Sequence, residues 1–592
     1  MYNKRLLSKA ICISAVCVLL ASNISFADTA VKEEQISTNI EIENKYTAEK
    51  FYELLNPQII YLGKKDPFKG KDCLNKLKNI AEKNANDNYL QLEYHENKAY
   101  FHRAYENKHE TITELKIAEK FLDNSVTNKL HFYDQLARSY TEVWDFDNAY
   151  IAYKNAHKIM TKNKDKLTTD QIINDYVSRM YFHLGKGEIK KVYLLYKKAT
   201  NVLDEEQEKQ IELELNLNEP ILQYYFRTYD LKNAKEIIEH HIEIANKTKN
   251  KELKNFALRE YINYYRMAHN RKGILTATNE FKNFSKYKYR KDSIENIYID
   301  IEQSDSFLSI ANLYEDSEKY AENPDKYKEL AVKNAQKAEE YAKKAVASAE
   351  QYKDVAPTIY ALALQKVATA TAKQGKVKET EETMAKAIEY FKKADKALSY
   401  YLFEGRLASG SAYKDLEEYD KAIDTYSKLE KDLNKVLKNP FLEHMRLYGH
   451  MAEAYSKMNK EKEAIKYIDK EIKVSTDKFG ADSIRTIDSY KTKVELYENL
   501  GLQDKAVKEA KELLFKIKEA GIAPTYDIEF ECYFLLAKDN LSKGKLDNAL
   551  ENANNALKTA YTEQNKDEAN KLLAKIYKEQ GETLKSLKHK LK

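Results

Sequence analysis

The strongest constraint on this chain is a recurrence. Ala422, Ala464, Ala506 and Ala549 stand 42, 42 and 43 residues apart, each inside the same short design. In "LASGSAYKDLEEYDKAIDTYSKL" Gly410 and Tyr413 precede a polar turn and Tyr419, Ala422 and Tyr426 follow it. "MAEAYSKMNKEKEAIKYI" places Ala452, Tyr455, Ala464 and Ile468 the same way, "KVELYENLGLQDKAVKEA" Val494, Tyr497, Gly501 and Ala506, and "LAKDNLSKGKLDNALENA" Ala537, Gly544, Ala549 and Ala553. Small residues let two helix axes approach and the tyrosines fill the space beside them. A unit of this kind cannot bury its apolar face alone, so copies must stack. The 592 residues contain 14 Gly and 7 Pro, too few breakers for many β-turns, so the prediction is helix throughout, joined by short turns.

The pattern runs back into the N-terminal half. "YDQLARSYTEVWDFDNAYIAYKNAHKIM", which holds the single tryptophan, reads as two helices with Trp144 and Asp145 at the turn, Ala137 and Tyr140 before it and Phe146, Ala149, Tyr153 and Ala156 after it. Further anchors are Thr111, Val192, Ala234, Gly273, Ala338 and Thr380. One spacing fails, since Gly273 and Ala338 are 65 apart. The stretch around Pro324, followed by an Ala/Lys/Glu-rich helix, is predicted to join two solenoid halves.

At these residues the chain resembles the tetratricopeptide repeat (TPR) family, and the long period together with "KFGADS" resembles the variant found in kinesin light chains. The period exceeds the usual 34 residues and the proline that often ends a repeat is mostly missing. The resemblance spans about residues 48 to 592 and implies an all-α, right-handed superhelical α-solenoid whose concave groove binds a protein or peptide.

The N-terminus is a separate object. Lys4, Arg5 and Lys9 precede the short apolar run "AICISAVCVLLA", and Ser25-Phe26-Ala27 offers small residues for cleavage before Asp28. This is the pattern of a secretory signal peptide, with an uncleaved anchor as the alternative. No later stretch is apolar enough to span a bilayer, so the expectation is an exported chain, periplasmic or extracellular. Removing the peptide lowers the net charge from +5 to +2, which argues against a nucleic-acid partner. Only Cys73 and Cys532 then remain, so no disulfide framework is expected.

Chemistry was sought by spacing. No phosphate loop, nucleotide-binding glycine fingerprint or zincin helix appears. His95, His102 and His109 are seven apart, about 10 Å along a helix and too far for one ion, and the register puts Glu106 to His109 at a turn. His240 and His241 point to different faces of one helix. Glu381-Glu382 and Glu417-Glu418 read as solvated surface or turn residues, and the closing "LKSLKHKLK" as a capping helix rather than a lipid-binding one. The expectation is therefore no catalytic residue, no metal and no cofactor. Arginine is more pointed, with 12 against 87 lysines, and eight of the eleven mature ones in the N-terminal half. Arg138, Arg227 and Arg266 fall on first helices off the packing face, where the inner wall of such a superhelix runs. A guanidinium fork suits carboxylates, and some TPR domains hold a peptide's C-terminal carboxylate with basic groups on first helices. Arg138, Arg227 and Arg266, with Arg259 and the off-register Tyr265, are the candidate peptide-binding groove; Tyr400 is a further off-register aromatic.

The domain reading is 1–27 signal peptide, 28–47 linker, 48–300 N-terminal solenoid, 301–350 irregular repeat and long-helix joint, and 351–592 C-terminal solenoid. The functional reading is a non-catalytic exported scaffold or adaptor that binds a protein or peptide through acidic or carboxylate groups. The alternative is a peptide or small-anion sensor that changes superhelix shape.

Overall fold

The computed structural model describes residues 51, 53–57, 66–105, 107–204, 211–285, 293–318, 323–395, 397–519, 528–560, 563–582 and 585–586. The expectations for the signal peptide, the linker and most of the closing lysine-rich stretch lie outside these residues.

Every helix runs into the next through a short connection. The N-terminal helices are α1 (Pro67–Lys83), α2 (Asn88–Ala104), α3 (Lys108–Ala118), α4 (Val126–Glu142), α5 (Phe146–Lys162), α6 (Thr169–Gly185), α7 (Ile189–Asp204), α8 (Ile211–Thr228), α9 (Leu231–Thr248), α10 (Lys251–Met267) and α11 (Arg271–Ser285). Two long helices follow, α12 (Ile294–Glu318) and α13 (Pro324–Ala349). The C-terminal helices are α14 (Pro357–Ala372), α15 (Val377–Ala394), α16 (Tyr400–Asp415), α17 (Tyr419–Val436), α18 (Leu442–Lys457), α19 (Glu461–Phe479), α20 (Ile484–Asn499), α21 (Gln503–Glu519), α22 (Ile528–Ser542), α23 (Leu546–Thr559) and α24 (Glu563–Glu579). From α2 to α23 they pack as consecutive pairs, and each pair packs on the next. Among the described residues there is no strand, and no helix is long and apolar enough to cross a membrane.

The small anchors do what their size requires. Ala149, Val192, Ala234, Ala338, Ala422, Ala464, Ala506 and Ala549 have no exposed surface, and Thr111 and Thr380 almost none. They lie where two helices of a pair, or two neighbouring pairs, meet most closely.

One turn recurs between the helices of a pair. In the α4–α5 turn the Asp145 N–H donates to the Tyr140 carbonyl at 2.9 Å, and the same six-residue closure joins Glu188 to His183, Asp230 to Tyr225, Asn270 to Tyr265, Glu418 to Tyr413, Lys460 to Tyr455 and Leu502 to Tyr497. This is the Schellman closure, which needs a left-handed residue just before the donor. Gly187, Gly375, Gly501 and Gly544 supply it with φ near +70°, Asn459 with +56° and Glu417 with +61°.

Of the stretch 301–350, residues 301–318 lie on α12 and 324–349 on α13, helices of 25 and 26 residues that pack against each other. Asn323 caps α13 through its side chain and Pro324 occupies the first turn, where its missing N–H costs nothing. The break in the 42-residue spacing is thus a longer helical pair within the stack.

Candidate functional site

Trp144 and Tyr229 also occupy the left-handed turn position, at φ +62° and +58°. A bulky residue costs about 1–2 kcal/mol there relative to glycine, so the rings must gain that back elsewhere. Trp144, 6% exposed, meets Phe403 of α16 edge-on, ring centroids 5.9 Å apart. Tyr229 lies under Arg485 of α20, the guanidinium 4.2 Å from the ring centroid. Arg485 also donates through Nε to the Arg227 carbonyl at 3.0 Å and through Nη1 to the Tyr229 hydroxyl at 3.2 Å.

These contacts form a seam. The turns of the N-terminal pairs dock in order along the C-terminal pairs. His109, opening α3, bonds Asp395 at 2.6 Å. Phe146 beside Trp144 packs 5.1 Å from Phe441. Gly187 lies against the side chains of Lys478 and Leu442. Tyr229 then reaches Arg485. A single apolar cluster crosses the seam, joining Leu74, Tyr94, Phe101 and Trp144 to Phe403, Phe441 and Met451. The superhelix therefore closes on itself.

The next rung is open. The α10–α11 turn carries His269, again left-handed at φ +48°, and it faces a cavity of about 1480 Å³. One wall is this turn with α11, α12 and α13, presenting Leu275, Phe307, Ile310, Leu313 and Tyr314 among Arg271, Lys272 and Lys337. The other wall is α18 and α20, presenting Arg446, His450, Glu453 and Lys457, then Arg485, Asp488, Thr492 and Glu495. These follow the three- and four-residue spacing of one helix face.

Much of the C-terminal inner face is an ion-pair lattice between successive first helices. Lys373 pairs with Glu315 at 2.7 Å, Lys491 with Glu531 at 3.1 Å, and Lys414 and Arg446 pair with Glu453 and Glu404. Glu471, bonded by the Ser489 hydroxyl at 2.8 Å, is pushed up to about 7 by burial. His450, stacked on Tyr426, is pushed down to about 3 by burial, with Lys414 adding to the effect.

The sequence-selected arginines of α4, α8 and α10 are engaged within the fold. Arg138 is 8% exposed, its guanidinium 5.2 Å from the Tyr181 ring centroid. Arg227 donates to the Leu184 carbonyl at 2.6 Å while its own carbonyl takes Arg485. Arg266 pairs with Glu302 at 2.6 Å and donates to the Ser306 hydroxyl at 3.0 Å. Arg259 is half-buried beside Glu260. Tyr265 is half-buried, and its ring covers Gly273 so closely that a Cβ would clash. Tyr400 is 47% exposed. Of the histidines, His95 bonds Glu114 at 2.8 Å and His240 bonds Glu214 at 2.7 Å.

Sequence reasoning passed over the partners of these arginines. Glu93, Asp134, Asp175, Glu219, Glu260 and Glu302 stand 41, 41, 44, 41 and 42 residues apart on successive first helices, and the first five are buried. Arg179 pairs with Asp175 at 2.7 Å. Burial pushes Asp134 and Glu260 upward and Glu219 to about 8. The signal was a carboxylate at the repeat period, as regular as the alanines.

No family model and no curated protein matches the chain. Among solved structures, a Podosopora anserina kinesin light chain of nearly identical TPR-like repeats is 15% identical, covering 36% of this chain and 95% of its own, with a TM-score of 0.27. A Rap protein complexed with competence and sporulation factor is 13% identical over 66% of this chain and 98% of its own, TM-score 0.37. The Cut9 and Hcn1 assembly of the APC/C is 11% identical over 89% and 96%, TM-score 0.32. The buried small residues and Schellman turns at a period near 42 make this chain an all-α solenoid of helix-turn-helix repeats.

Proposed function

We propose that the protein is an exported, non-catalytic scaffold that binds a segment of another protein or peptide in the cavity between the α10–α11 turn and helices α18 and α20. The cavity carries the reading. At about 1480 Å³ it exceeds the roughly 300–1,000 Å³ of sites that enclose small molecules. Its walls mix an apolar strip with charged side chains, as a surface that grips a peptide does. The candidate arginines support the groove from behind by holding the acid row and the seam. Export rests on residues 1–27 and predicts a mature chain beginning at Asp28.

A photo-crosslinking residue at Thr492, inside the cavity, tests the reading against the same probe at exposed Lys511 on α21. The expected result is one envelope protein or peptide captured from Thr492 alone and lost when Lys337→Glu is added. Equal capture from both positions refutes the cavity as the site. N-terminal sequencing of the protein recovered outside the cytoplasm checks cleavage before Asp28.

A further inference from the structure

Resting on the cavity as the binding site, we infer that its ligand is an anionic peptide segment and that Arg485 couples its binding to opening of the seam. The charge of the lining follows from what is already paired. Among the acids of the lining, Glu315 and Glu453 have lysine partners of their own, Lys373 and Lys414, while Glu495 and Glu531 share Lys491. Asp488 and Glu471 have no lysine partner among the described residues, and Glu471 is held by the Ser489 hydroxyl. Among the described residues, the cations Lys272, Lys337, Lys457 and Arg485 have no carboxylate oxygen within 4.0 Å. The cavity thus carries an excess of unneutralised positive charge beside the strip of Leu275, Phe307, Ile310 and Leu313. A segment that alternates carboxylates with apolar side chains matches both.

The coupling follows from the position of Arg485, which lies in the cavity wall and is the last closed rung of the seam. There it offers its guanidinium to a neutral carbonyl, a phenol and a ring face. A ligand carboxylate is the stronger acceptor, because a charge-assisted bond is roughly twice as strong as a neutral one. Rotating Arg485 toward it removes both hydrogen bonds from the α8–α9 turn and uncovers Tyr229, which is left at φ +58° without the contact that offsets its conformation. Ligand and seam compete for one side chain, so occupancy shifts the closed superhelix toward an open one.

Trp144 makes this measurable, since it is the only tryptophan and is buried in the seam two turns before Tyr229. The full chain is titrated with a fluorescein-labelled octapeptide of alternating Glu and Leu, and with its Gln-Leu and Lys-Leu counterparts. Anisotropy reports binding, and selective tryptophan excitation of the unlabelled peptide titration reports the seam. The expected result is saturable, salt-sensitive binding of the Glu peptide at least tenfold tighter than the Gln peptide, with a red shift of Trp144 emission. Lys337→Glu, exposed and away from the seam, should weaken binding tenfold and leave the unliganded emission unchanged. Arg485→Met should shift the emission without ligand. Binding without a shift overturns the coupling and leaves the cavity reading standing. Equal affinity for Glu and Gln peptides, or failure of the Glu peptide to bind, overturns the anionic class, while capture at Thr492 decides the cavity reading separately.

Discussion

Replacing Trp144 with glycine opposes two effects of opposite sign. The backbone at this position is left-handed, and glycine would relieve about 1–2 kcal/mol; four other repeats already carry glycine there. The ring, however, is 6% exposed and sits in the cluster that joins the two halves. Truncating a buried tryptophan costs about 3–5 kcal/mol, including the edge-on contact with Phe403, worth about 0.5–1.5 kcal/mol. Trp144→Ala should therefore destabilise by about 3–5 kcal/mol, and Trp144→Gly by about 1–2 kcal/mol less. Trp144→Phe should fall between them and wild type. Helix content followed through a urea titration measures the loss, and solution scattering asks whether the folded variant has expanded. The variants should unfold in separated steps, since the halves lose their shared cluster. If Trp144→Gly is as stable as the parent or more so, with unchanged scattering, the ring is an ordinary turn residue and the seam does not hold the halves together.

Gly410→Ala should destabilise by about 1–3 kcal/mol, as overpacking does, although Gly→Ala within a helix ordinarily gains up to about 1 kcal/mol, because the new methyl would enter the Tyr426 ring; a melt that rises refutes the packing. Two buried groups predict opposite pH limbs. His241 is 1% exposed, neither ring nitrogen has a hydrogen bond, and burial depresses it to about 3. The unfolded chain therefore takes up its proton first, and stability is lost as pH falls below about 6.5, reaching about 2 kcal/mol at pH 5. His241→Leu should flatten that limb. Glu219, raised by burial to about 8 and facing Tyr181, Arg138, Arg259 and Glu260, keeps its proton longer in the folded state. Its contribution is full at low pH and lost as pH rises from about 4.5 toward 8, so Glu219→Gln should gain up to about 3–4 kcal/mol near pH 7.5 and nothing at pH 4.5. Melts across pH check both, and a parallel shift of variant and parent at all pH values would refute either assignment.

The repeat was legible because its cause is local: helix axes approach only where a residue is small, and that restriction recurs at each unit, so Ala422 to Ala549 gave the period and the burial together. The packing face of each helix was legible for the same reason. What meets those faces was not, because it comes from elsewhere in the chain. Arg227 gives its carbonyl to a residue 258 positions away, and no period near 42 encodes that pairing. Two signals were nevertheless present. Trp144 and Tyr229 stand where most sister turns have glycine or a polar residue such as Asn459 or Glu417, a substitution that is unfavourable unless the ring is buried. The acid row from Glu93 to Glu302 repeats as faithfully as the alanines, yet charge at a regular spacing reads as solvated surface until the helices are coiled and the row turns inward.

Closure also changes what kind of object the solenoid is. In an open array each repeat touches only its neighbours, and stability is a sum of local terms. Here the α4–α5 turn touches α16 and the α8–α9 turn touches α20, so a loss in one half is felt in the other. From Trp144 on, the seam advances about one C-terminal pair for each N-terminal turn and stops at Arg485, and the cavity begins where the next turn, carrying His269, meets no partner among the described residues. A ligand in that gap fills a place in a series the chain itself has started, and the side chain it must engage is the one that completes the preceding rung. The binding surface and the conformational lock are therefore the same residues, which is why affinity and superhelix shape should not be separable by mutation at Arg485 but should be at Lys337.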